Sequence, residues 1–140
     1  MKQLSLILLA GLAALTRGWA NLGDGSDKID DLYGNLVQRR LRDDGTLSVL
    51  YHKDRYLYQV VFDNGRSVSE TYIHSNGTDL SEKEITTFLK ANAAPKATWT
   101  PGNSAKERRF KRSDGKAEAT YGKVNGLPAL TVREVRARFE

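Results

Sequence analysis

Cysteine is absent from this 140-residue chain. No disulfide can staple it, and thiolate catalysis, cysteine-ligated zinc and iron–sulfur clusters are excluded together. Stability must come from packing and hydrogen bonding. Histidine is nearly absent too, with only His52 and His74. Long apolar runs are missing beyond residue 20, so no later segment matches the ~20 residues that a membrane-spanning helix needs. The sequence contains no Walker loop, glycine-rich dinucleotide fingerprint, HExxH or GxSxG motif. Its adjacent carboxylates, Asp30 with Asp31 and Asp43 with Asp44, diverge in side-chain direction and cannot face each other across a cleft. No catalytic, cofactor-binding or metal-ligating residue is assigned, and the expectation is a protein that is not an enzyme.

Residues 1–20 read as a signal peptide: Lys2, a short apolar core from Leu4 to Leu15, and the small residues Gly18 and Ala20 before a cut. The expected product is exported, periplasmic or secreted. Without a cysteine it is not lipid-anchored, and the mature chain has no integral membrane segment. Residues 96–140 carry 11 basic and 5 acidic groups, while residues 21–95 carry 9 and 12. The basic carboxyl-terminal third admits a polyanion partner.

Between Gly45 and His74 the apolar residues recur at every second position, the period of strands with one buried face. Asn64-Gly65 is a strong hairpin signal because a type I′ turn needs positive φ at both central residues. Taking Lys53-Asp54 as the preceding loop sets Tyr51, Tyr56 and Ile73 in one row and Val49, Tyr58 and Thr71 in the next, with Leu47 and Val60 following. This is the expected core face. The other face holds Leu50, Leu57 and Tyr72, then Gln59 beside Glu70, and a row of His52, Arg55 and His74. Asp43-Asp44-Gly45 serves as a three-residue loop, which makes Leu36 to Arg42 a further strand with Leu41 against Leu47 and Val37 against Tyr51.

A short helix precedes this meander, with Asp27 as its cap and Gly34 as its stop. A second helix follows it, opened by a capping box of Ser81 and Glu84 and a staple of Leu80 and Ile85, with Phe88 and Leu89 completing the apolar stripe. Pro95 and Pro101 mark Ala93 to Asn103 as a linker anchored by Trp99. Asp114-Gly115 and Asn125-Gly126 then turn a second meander that places Phe110, Ala119 and Val132 in one row and Tyr121 beside Leu130. The opposite face pairs Lys111, Glu118 and Arg133.

The expected fold class is α+β: two helix-then-antiparallel-meander units, with helices packed on one face of antiparallel sheet. Residues 21–27 form a flexible amino terminus. Residues 28–140 form a single domain, divided into 28–78 and 79–140. A helix ending in Leu32-Tyr33-Gly34, a strand and a hairpin closing on Val60-Val61-Phe62-Asp63-Asn64-Gly65-Arg66 resembles the modules of the SmpA/BamE outer-membrane assembly lipoproteins and of β-lactamase-inhibitor-like proteins. The run Arg112 to Lys116, with Trp99 and Ala119, is similar to small uncharacterised exported bacterial proteins. The resemblance implies a small exported domain that grips other proteins through its sheet.

Two binding surfaces are expected. Leu50, Leu57 and Tyr72 form a half-apolar face suited to an unknown protein partner. Arg108, Arg109, Lys111 and Arg112 form a basic ribbon, with Arg108 and Arg112 flanking Phe110 and the other two pointing away. That ribbon suits an anionic glycan, lipid headgroup or nucleic acid, or serves as a charged edge that discourages aggregation. The aromatic row of Tyr56, Tyr58 and Phe62 is assigned to core packing.

Overall fold

A computed structural model describes residues 21–102 and 107–136; the signal peptide expected over residues 1–20 lies outside the described residues. The elements run α1 (Ser26–Tyr33), β1 (Leu36–Leu41), β2 (Leu47–Lys53), β3 (Tyr56–Asp63), β4 (Arg66–His74), α2 (Glu82–Ala91), β5 (Trp99–Pro101), β6 (Arg108–Arg112), β7 (Ala117–Val124) and β8 (Leu127–Glu134). The architecture is α+β, with the strands in one antiparallel sheet of order β1-β2-β3-β4-β8-β7-β6-β5.

Turn chemistry sets the hairpins. Asn64 and Gly65 take φ of 53° and 77°, and Asn125 and Gly126 take 51° and 81°. These positive values twist the turn in the sense that two adjoining strands need. The second meander has the expected register, with Phe110 opposite Ala119, Ala119 opposite Val132 and Tyr121 opposite Leu130. The two meanders meet where β4 pairs with β8, and there the hydroxyls of Thr71 and Thr131 lie 3.1 Å apart.

The first meander departs from expectation in three places. Its first tight loop is Asp54-Arg55, so Lys53 pairs with Tyr56 and the register moves by two residues. A shift of two preserves which side chains share a face. In β4, by contrast, the pairing starts as expected with Asp63 opposite Arg66 and Phe62 opposite Ser67, then jumps so that Val61 faces Ser69. Val68 is the extra residue of a bulge, and every later side chain of β4 changes face. A bulge at Val37 likewise moves Leu36 opposite Tyr51, while Leu41 does pair with Leu47. Strand β1 does not extend the core; all six of its residues are exposed.

The core gathers Val49, Tyr51, Tyr58, Val60, Phe62, Tyr72, Leu130 and Val132 from the sheet with Ile29 and Tyr33 of α1 and Ile85, Phe88 and Leu89 of α2. Tyr33 stacks on Tyr58 at 4.1 Å, and Phe88 stacks on Tyr72 at 4.2 Å. Both halves of the capping box of α2 are present. Helix α1 starts at Ser26, two residues earlier than an Asp27 cap implies, because Gly25 bridges to Arg66 and the Gly65 carbonyl accepts from the Ser26 amide. Gly34 ends it at φ 76°.

Residues expected to fray are laced to the sheet instead. The Gly23 amide donates to the Ser67 carbonyl, the Ser67 amide donates to the Asp24 carbonyl, and the Leu22 amide donates to Asn92 Oδ1. The segment read as a linker contributes β5, with the half-buried Trp99 packed against the core.

Candidate functional site

The bulge at Val68 decides what each face of the sheet presents. Glu70 and Tyr72, expected on the outer face, turn inward. Tyr72 is fully buried and pairs with Tyr58, and Glu70 pairs with Val60 and Val132. The Tyr33 and Tyr72 hydroxyls each donate to Glu70 Oε1 at 3.2 Å, and the Ser67 hydroxyl approaches Oε2 at 3.4 Å. Burial disfavours the charged carboxylate more than these donors favour it, and Glu70 is pushed up to about 8. Tyr72 accepts from Asn92 Nδ2 at 2.8 Å. Glu70, Tyr33, Tyr72, Ser67 and Asn92 are all buried, so this polar cluster ties α1, β4 and the end of α2 together inside the core.

Two further tyrosines fasten the helices. Tyr51 donates to Asp30 at 2.5 Å, and burial together with that bond raises its phenol. Tyr56 donates to Glu84, which also meets His74 Nε2 at 2.9 Å. Burial pushes Tyr56 up to about 12. Burial alone would raise Glu84 as well, but the Ser81 amide, the Tyr56 hydroxyl and His74 together hold it down to about 2. His74 is therefore on the core side of the sheet. His52, across from Leu57, is exposed on the other side. The row of His52, Arg55 and His74 does not form, because Arg55 lies in the loop and the bulge carries His74 across.

The outward side of β2, β3 and β4 presents Leu50, Leu57 and, in place of Tyr72, Ile73. Leu50 and Leu57 are half-buried, whereas Ile73 is buried at 7% exposure. Beside them an open groove of about 600 Å³ is lined by Gln38, Arg40, Leu41, Arg42, Asp43, Asp44, Ser48, Leu50 and Gln59. Gln59 Nε2 donates to Ser48 Oγ at 3.0 Å on its floor.

The basic ribbon divides between faces as expected. Arg108 sits 5.3 Å over the Phe110 ring and pairs with Glu82 at 2.6 Å, while Arg112 pairs with Asp114 at 2.9 Å and donates to the Asn92 carbonyl. Arg109 meets Glu107 at 3.4 Å. Lys111 is exposed opposite Glu118. Three of the four cations are thus already matched by carboxylates of the same chain.

Three arginines that the sequence reading did not single out are placed differently. Arg39, Arg40 and Arg42, on and just after β1, take part in none of the ion pairs among the described residues. The available signal was a run of three arginines within four positions, with no acid among them.

No group of three or more metal-ligating side chains occurs among the described residues. No described helix is long and apolar enough to cross a membrane. Comparison with protein-family models, with curated proteins and with solved structures finds no significant match.

Proposed function

We propose that this chain is an exported, non-enzymatic protein-binding module whose contact surface is the outward face of the sheet around Leu50 and Leu57. One observation carries the reading: the inward face is filled by the aromatic core, while the outward face places apolar side chains beside an open groove whose lining also includes the polar Ser48, Gln59 and Arg40. An apolar centre with a polar rim is the composition of a protein contact surface. In this reading the helices cover the inward face, and residues 28–78 and 79–140 are two helix-then-meander units joined at β4 and β8. That order is similar to SmpA/BamE and β-lactamase-inhibitor-like modules. The rival use, polyanion binding through the basic ribbon, has less support because Arg108, Arg109 and Arg112 already face Glu82, Glu107 and Asp114.

The test is capture from the cell's own envelope fraction by the tagged chain at low and moderate salt, beside a Leu50→Gln, Leu57→Gln variant with unchanged circular dichroism. A protein retained at moderate salt by the parent and lost by the variant supports the reading. Capture that vanishes with salt, and that is abolished by Arg109→Glu with Lys111→Glu instead, hands the function to the ribbon.

A further inference from the structure

The two edges of the sheet are not alike. Strand β5 is three residues long and ends in Pro101, which cannot donate to a ladder, so that edge is blunt. Strand β1 has six residues, and its apolar Leu36, Val37 and Leu41 are 44%, 56% and 75% exposed. The Arg42 amide donates to the Thr46 carbonyl. By the alternation of an antiparallel ladder, the main-chain groups of Leu41 and Arg39 then point away from β2, toward where a further strand would lie.

Charge narrows what such a strand can be. Arg39, Arg40 and Arg42 stand along β1 and its exit, with no ion pair among the described residues. Arg40 and Arg42 line the groove with Leu50 and Gln59. Asp43 and Asp44 also line the groove, and the Oδ1 of Asp44 already accepts from the amide and hydroxyl of Thr46. A second copy pairing antiparallel through β1 would set these arginines against their own equivalents, and like charges across a ladder are destabilising.

Resting on the protein-binding reading above, we infer that β1 receives an extended acidic segment of the partner as a ninth strand. Its main chain bonds to Arg39 and Leu41. Carboxylates on one side meet Arg40 and Arg42 over the groove. On its other side, apolar side chains cover Leu36 and Leu41. Backbone pairing supplies the affinity and the alternating side chains supply the choice of partner.

The probes are blocked peptides of about eight residues, long enough to span one strand. One alternates glutamate with valine, a second replaces glutamate by lysine, and a third is the acidic peptide with alternate amides N-methylated. Titration into the full chain is read by calorimetry and by amide shifts of β1. The acidic peptide is expected to saturate. Arg40→Glu with Arg42→Glu should weaken it by about tenfold or more and transfer preference to the lysine peptide, as charge complementarity requires. N-methylation should abolish binding. The inference falls if the acidic peptide does not bind, if the methylated peptide binds equally well, if charge reversal has no effect, or if the chain self-associates through β1 instead. Envelope capture that depends on Leu50 and Leu57 would survive each of those results, so the two ideas fail separately.

Discussion

The hydroxyl of Tyr33 reaches across from α1 to donate to the carboxyl of Glu70 at 3.2 Å in the buried centre of β4. Burial of that carboxyl, against which the Tyr33 bond works, makes folding depend on a proton. Glu70 titrates near 4.5 when unfolded and at about 8 when folded, the rise being caused by burial. Between those values the folded chain keeps a proton that the unfolded chain has released, so stability falls as pH rises. The Glu70 contribution is complete below about pH 4.5 and spent above about pH 8, a difference on the order of 5 kcal/mol. Glu70→Gln imitates the protonated acid and is expected to remove this decline. Urea unfolding at about pH 5 and about pH 9 checks it. A parent chain equally stable at both would contradict a protonated Glu70.

The bulge at Val68 is the second test. Deleting Val68 would remove the extra residue and leave Ser69, Glu70 and Tyr72 opposite Val61, Val60 and Tyr58, so the inward placement that lets Phe88 stack on Tyr72 should persist. The deletion is therefore expected to keep a native near-ultraviolet circular dichroism signal at a cost of about 1–2 kcal/mol, and Val68→Ala costs about 1 kcal/mol or less. A deletion variant that unfolds would show that the bulge itself, and not only the parity it sets, is needed to shape β4.

These two cases mark what the sequence could disclose. Asn64-Gly65, Asn125-Gly126 and the Ser81–Glu84 box act through their own backbone geometry, so they are legible locally, and with them the hairpins and the full register of the second meander. The bulge has no such marker. Val68 reads as an ordinary strand residue, and its displacement becomes explicable only once Tyr33, Phe88 and Asn92 are seen to engage Glu70 and Tyr72. Leu50 and Leu57 keep the expected face although Leu50 pairs with Gln59 and Leu57 with His52, whereas the bulge carries Tyr72 to the other face. The exposure of β1 was hidden because its apolar residues suit a core strand equally well, and β5 because a three-residue strand next to prolines has no period to read.

Glu84 gives the opposite pH response from Glu70. It is held down to about 2 despite its burial, by the Ser81 amide, the Tyr56 hydroxyl and His74. Its folded value lies below the unfolded one, so its stabilisation is present above about pH 4.5 and lost as pH falls through about 2. With the side chain one-fifth exposed, solvent screening reduces the amount to about 1–2 kcal/mol. Glu84→Gln keeps a capping-box residue at this position but cannot ionise. It is expected to flatten acid unfolding below about pH 4.5 and leave the Glu70 decline unchanged. Acid titration of the two single variants and the double variant separates the windows, and overlapping losses would mean that the groups are coupled.

Asn92 ties three parts of the chain at one buried point. Its Oδ1 accepts from the Leu22 amide at 2.9 Å, and its Nδ2 donates to the Tyr72 hydroxyl at 2.8 Å and the Phe88 carbonyl at 2.9 Å. Asn92→Ala removes all three bonds and leaves buried polar atoms without partners, at a cost of about 2–4 kcal/mol. Asn92→Asp keeps an acceptor for Leu22 but sets a carboxylate against the Phe88 carbonyl, so it should be the worse variant near neutral pH and recover on acidification. Amide exchange distinguishes this from a general loss of packing. In both variants the protection of Leu22 and Gly23 should fall before that of β7 and β8, because the amino-terminal segment is held to the sheet through Asn92 and Ser67. Uniform loss across the sheet would instead make Asn92 a core-filling residue with no separate hold on the amino terminus.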